Sequence, residues 1–173
     1  AGLILLCGGQ LVLPSPRALW EVGGGPNAVY VPAEGGGGAK ISMYRGHLEL
    51  DLREVPLVGS PEATHVGVVL FDVTCPHCRE LHRYLETERM RYGQALALVE
   101  LPLPLNTACN PAVNYTGPDN VNASTYAKLA LAVWRADRRQ YGDYVDYLFT
   151  IPLCSTTGVA AAGQRAALLV GGA

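Results

Sequence analysis

Two hydrophobic rhythms alternate along the chain from about residue 40 onward. Ile41, Met43, Leu48, Leu50 and Leu52 alternate with polar residues on either side of Tyr44-Arg45-Gly46-His47. A period of two around a glycine turn predicts a β-hairpin. Pro56 and Gly59-Ser60-Pro61 then break the chain. Val66 to Phe71 is an unbroken apolar run that predicts a strand buried on both faces. The rhythm changes directly afterwards: Leu81, Tyr84, Leu85 and Tyr92 recur at helical spacing, and Gly93 supplies a stop. Ala95 to Leu101 returns to strand, expected parallel to the first through a right-handed crossover. Its pairing should end at Leu103, which lies between Pro102 and Pro104.

The remainder reads as helices. A helix is predicted over 122–136, capped by Asn122 or Ser124, with Tyr126, Leu129, Ala130, Val133 and Trp134 on its apolar face. A second, over about 138–149, carries Tyr141, Tyr144, Val145 and Leu148, widened by Tyr147 and Phe149. Such an aromatic stripe reads as core. Thr156 or Thr157 opens an alanine-rich helix that ends before Gly171-Gly172.

The N-terminal part follows neither rhythm. Residues 1–13 form an apolar leader of about a dozen residues, shorter than the roughly 20 that span a bilayer. It reads either as the end of a transmembrane helix or as a free apolar strand. Residues 14–40 are rich in Gly and Pro, with GGG at 23–25 and GGGG at 35–38, and predict a flexible linker interrupted by a short strand at Ala28–Val31. The domain proper is therefore expected over 41–173, one core for a chain of 173 residues. Net charge is −2 and no basic cluster exists, so nucleic acid has no electrostatic footprint here. Five cysteines leave one over after any pairing, which argues against a disulfide-stapled scaffold.

The chemistry concentrates at Cys75-Pro76-His77-Cys78, where the buried strand turns into a helix. Unpaired backbone N–H groups and the positive end of the helix dipole point at that position, and they favour a thiolate, the nucleophilic form. Cys75 at the helix edge is expected to attack. Cys78, one turn in and sharing a face with Leu81 and Leu85, is expected to resolve. Pro76 suits the first helical turn because it has no N–H to lose. His77, with Pro76, is expected to tune the acidity of Cys75, and an imidazolium there favours an oxidising or isomerising poise. A zinc half-site would need a second ligand pair, yet Cys7, Cys109 and Cys154 are isolated. His82 is a conceivable third ligand but fits a solvated helix face better. Cys109 sits in a polar loop; it could pair with Cys154, stay a free thiol, or intercept the Cys75–Cys78 pair. No metal or organic cofactor is required.

The strand–CPHC–helix unit resembles the thioredoxin superfamily, and its CPHC matches the DsbA-like thiol-disulfide oxidoreductases. Residues 122–150 resemble the helical insertion of those proteins. GHLELDLREVPLVGSPEATHVGVVLFDVTCPHCRELH followed by LPLPLNTACNP is similar to thioredoxin-like domains appended to bacterial membrane proteins. The resemblance implies an α/β fold, a thioredoxin-like sheet with a helical insertion at about 122–170. It implies thiol-disulfide exchange with protein thiols or disulfides, an unidentified recycling partner, and a membrane-associated or extracytoplasmic, periplasmic-side location with attachment through the N-terminus. The acid that the superfamily commonly buries six residues before the first cysteine is replaced by Val69. Asp72, three residues before Cys75, is the nearest candidate auxiliary. The cis-proline loop that faces the disulfide in the superfamily is expected beyond residue 173, so the chain should react with small thiols better than with proteins. The alternative is a binding module, either a metal carrier using Cys75 and Cys78 or a redox-inactive thioredoxin-like domain.

Overall fold

The computed structural model describes residues 28–31, 40–43, 46–152 and 156–171. The leader at 1–13, most of the linker at 14–40, the turn residues Tyr44 and Arg45, and Cys7 and Cys154 lie outside the described residues. Strands β1 (Ala28–Val31), β2 (Lys40–Met43) and β3 (Leu48–Asp51) form one antiparallel sheet in that order. Strands β4 (Leu57–Val58), β5 (His65–Phe71) and β6 (Leu96–Pro102) form a second, with β6 in the middle. Helix α1 spans Pro76–Tyr92, α2 Ala123–Ala136, α3 Tyr141–Thr150 and α4 Thr156–Val170. Within the described residues, no helix is long and apolar enough to cross a membrane.

The contacts divide the chain into two compact units. In the first, made of the described residues up to Val69 with Glu88–Leu101, alternation decides which side chains are buried. The hairpin register sets Ile41 opposite Leu50, with Gly46 at the turn at φ 89°. Ile41, Leu52, Val66, Val68 and Val99 form the core, joined by half-buried Leu50, Val55, Leu57 and Leu101. The antiparallel pairing of β4 with β6 sets Leu57 opposite Val99. Gly59 follows β4 at φ 109°, and a Cβ there would lie 2.9 Å from the Cα of Ala97, so only glycine fits. The expected strand at Ala28–Val31 is present and pairs with β2.

The second unit, Leu70–Thr87 with Pro102–Ala173, carries the helical insertion. Its interior is aromatic: Tyr126, Tyr141, Tyr144, Val145 and Leu148 are fully buried. Tyr144 donates its hydroxyl to the Ala162 carbonyl of α4 at 3.0 Å, so the buried phenol is satisfied. A Cβ at Gly158 would run into the Pro152 carbonyl oxygen, so the absence of a side chain lets α4 begin against that segment.

Three expectations need correction. The run Val66–Phe71 is not buried throughout: Leu70 is 45% exposed, so the strand ends half-covered. The apolar stripe of α1 is narrower than its spacing implies, with Leu85 its buried residue and Tyr84 53% exposed. Asn122 occupies the N-cap of α2 but makes no side-chain capping bond, and Ser124 turns inward instead.

A dithiol turn at the start of helix α1

β5 ends at Phe71 and α1 begins at Pro76, leaving four residues for the reversal. The Cys75 N–H closes the turn on the Asp72 carbonyl at 3.0 Å. The Arg79 N–H then donates to the Cys75 carbonyl at 3.1 Å, the first helical bond. Pro76 takes the first helical position, where its missing N–H costs nothing. Pro76 and His77 are exposed, while Cys75 and Cys78 are both half-buried free thiols. The two sulfurs are partners. Burial pushes the Cys78 thiol up from 9.0 to about 11; the Asp72 N–H opposes the rise, and the Cys75 sulfur and the Asp72 charge add to it. Cys78 is therefore a neutral thiol near neutral pH.

Asp72 proves central to the turn, though its residue type and position marked it only as auxiliary. It is 4% exposed, and its N–H, its carbonyl and both carboxylate oxygens are hydrogen-bonded. Its N–H donates to Cys78 Sγ at 3.5 Å. Its Oδ1 accepts from the Thr74 N–H at 2.8 Å and from the Thr74 hydroxyl at 2.6 Å. Its Oδ2 accepts from the Leu105 N–H at 2.6 Å. Thr74, itself buried, receives the Asn120 amide on its hydroxyl at 2.8 Å. Asn106 donates to the carbonyls of Asn120 and Val121 at 2.9 and 3.0 Å. Through these bonds the irregular segment 103–121 is tied to the cysteine turn. Sequence reasoning missed Thr74, Asn106 and Asn120. The clue was available as a concentration of Asn, Thr and Asp in a loop beside two prolines, but such residues are common in any loop.

The other candidates separate from the pair. Cys109 is exposed on the segment 103–121, with Sγ 2.6 Å from Ser124 Oγ. Its expected alternative partner, Cys154, lies outside the described residues. His82 is not on a solvated face as its spacing suggested. Its side chain is 11% exposed, stacks on Phe149 at 4.3 Å and pairs with Asp146 at 3.0 Å. Arg79 donates to the Phe149 carbonyl near the end of α3, where helical carbonyls lack partners. Together these contacts clamp the first half of α1 to α3. Among the described residues, the group of three metal-ligating side chains is His82, Glu86 and Asp146, which does not include either cysteine of the motif.

No family model matches the sequence, and no curated protein sequence does. The fold does have solved neighbours. Proteus mirabilis ScsC in a transitional conformation matches at a TM-score of 0.52 and 20% identity, over 64% of this chain and 45% of that one. A compact conformation of the same protein matches at 0.51 and 20%, over 64% and 50%. A periplasmic thioredoxin-like protein from Salmonella enterica serovar Typhimurium matches at 0.51 and 22%, over 66% and 60%. The chain thus spans roughly half the length of these neighbours. The Salmonella protein is named thioredoxin-like, and this chain shares the fold of these neighbours: α/β, with a helical insertion.

Proposed function

We propose that this chain is a thiol-disulfide oxidoreductase domain working through Cys75 and Cys78. The observation that carries the reading is the asymmetric pair at the strand-to-helix turn. Cys75 starts the helix, where N–H groups without helical partners favour negative charge, and burial holds Cys78 as a thiol. Cys75 thiolate attacks one sulfur of a substrate disulfide. A Cys75–substrate disulfide forms and the other substrate sulfur leaves as a thiolate. Cys78 then gives its proton to solvent and attacks the Cys75 sulfur. The Cys75–Cys78 disulfide forms, the second substrate sulfur leaves, and two electrons have passed to the substrate. In the opposite direction a substrate thiolate attacks Cys75 of the disulfide and Cys78 leaves as the thiolate. His77, exposed beside the pair, supports the oxidising direction when protonated. The substrates are protein thiols or disulfides, and a separate redox partner recycles the pair. The periplasmic neighbour supports an extracytoplasmic location, with the apolar leader at 1–13 as the membrane attachment.

The test is mixed-disulfide trapping. A Cys78→Ser variant should accumulate a Cys75-linked adduct with glutathione or a disulfide-bearing protein, seen on a non-reducing gel and by mass. A Cys75→Ser variant should form none. Failure of Cys78→Ser to trap any disulfide, with zinc retained stoichiometrically by the native chain, would replace this reading by the metal carrier.

A further inference from the structure

The Asp72 network has more parts than a four-residue turn needs. The turn is already closed by the Cys75 N–H on the Asp72 carbonyl, and the helix by the Arg79 N–H on Cys75. Yet both carboxylate oxygens of a nearly inaccessible Asp72 are occupied by three donors, and the Thr74 hydroxyl that supplies one of them is itself held by Asn120 from the segment 103–121. Opposite these bonds, on the same residue, the main-chain N–H faces the Cys78 sulfur at 3.5 Å. We propose that Thr74 and Asn120, acting through the Asp72 carboxylate, are positioning residues that hold the Asp72 N–H on the Cys78 sulfur and so set how readily Cys78 leaves when a substrate thiolate opens the Cys75–Cys78 disulfide. The inference rests on the dithiol reading given above and goes beyond it by assigning residues outside the motif to the rate of disulfide opening.

The physical argument has two parts. Against a neutral thiol, an N–H at this distance is a weak donor. Against the thiolate that leaves when a substrate thiolate attacks Cys75, it becomes a charge-assisted donor. A donor already aimed at the place where charge develops needs no reorganisation, which is why fixed dipoles are effective in sites poor in water. Asp72 and Thr74 are such a site, at 4% and 7% exposure. Rotating the Asp72 peptide away would break the side-chain bonds as well, so the carboxylate is the anchor. The second part concerns charge. The Asp72 carboxylate opposes a thiolate at Cys78. The donors spread its charge, and the chain from Asn120 through Thr74 strengthens each link in turn. Weakening that chain therefore acts on Cys78 twice in the same direction: the N–H is less well aimed and the carboxylate is more repulsive. The leaving Cys78 thiolate loses stabilisation, and the disulfide is opened more slowly.

The experiment is the opening of the oxidised chain by excess reduced glutathione, its rate constant read by timed alkylation of free thiols and mass spectrometry. Thr74→Val keeps the side-chain shape and removes the hydroxyl. It should lower that rate constant by at least about threefold. Thr74→Ser restores the hydroxyl and should return the constant to near the native value. A side chain with only a structural role would change the melting temperature and leave this constant alone. Asn120→Ala, outside the turn, should move it in the same direction by less. If Thr74→Val does not fold, Asn120→Ala decides by the same readout. Native constants in the folded variants overturn the proposal, whatever their stability. A native chain that never reacts with glutathione overturns the dithiol reading itself and this proposal with it; variants that match an active native chain overturn this proposal alone.

Discussion

The cysteine turn and the insertion helices belong to the same unit, yet they are held by opposite means. The interior of α2 and α3 is aromatic and aliphatic, with Tyr126, Val133, Tyr141, Val145 and Leu148 at 1% exposure or less. The turn at 72–78 is held by a buried carboxylate, a buried hydroxyl and two loop asparagines. Apolar packing is tolerant: it requires volume and water exclusion, and it fixes no single atom to a fraction of an ångström. A hydrogen-bonded carboxylate is less tolerant, because each unmet donor carries its full desolvation cost. The difference suits the tasks. The helices need to stay folded, while the turn must present two sulfurs and one N–H in fixed relation.

That contrast can be broken most severely on the apolar side. Leu148 has no exposed surface. Leu148→Ala should cost about 3 kcal/mol of stability, read as the denaturation midpoint, while the rate at which glutathione opens the disulfide of the folded fraction stays native. A changed rate in this variant would mean that the helices and the turn are not independent.

On the polar side the expected cost is smaller but the consequence broader. Asp72→Ala removes the acceptor of the Thr74 and Leu105 N–H groups. The loss should be about 2 kcal/mol, the scale of unsatisfied buried donors. Unlike Leu148→Ala, it should also change the rate at which glutathione opens the disulfide. An unchanged rate would place Asp72 in the same purely structural role as Leu148.

A third effect is a pH dependence confined to the reduced protein. The Cys78 thiol is raised in the folded state, so its contribution to stability is complete below 9.0, the ordinary value, and is lost as pH climbs toward about 11. Reduced native protein should therefore lose stability over that interval more steeply than Cys78→Ser. Parallel stability curves for the two would show that Cys78 is no more shielded than a surface thiol.

Several features were legible in the sequence because they depend on neighbours along the chain. Alternation around Gly46 located the β2–β3 hairpin, and the helical spacing of Tyr126, Ala130 and Val133 located α2. The Cys75–Cys78 spacing placed both thiols at the start of a helix, since a strand followed at once by an amphipathic pattern leaves little choice of geometry. Other features were decided only by folding. Nothing local distinguishes His82 on a solvated face from His82 stacked on Phe149 and paired with Asp146, because both partners lie more than sixty residues away. Nor does a loop of Asn, Thr and Pro announce that Leu105 and Asn120 will return to Asp72 and Thr74. Periodicity records which face of an element is apolar, and that is enough to predict burial. A polar side chain becomes part of a site only when a distant donor or acceptor meets it within hydrogen-bonding distance, and that meeting is a property of the tertiary structure.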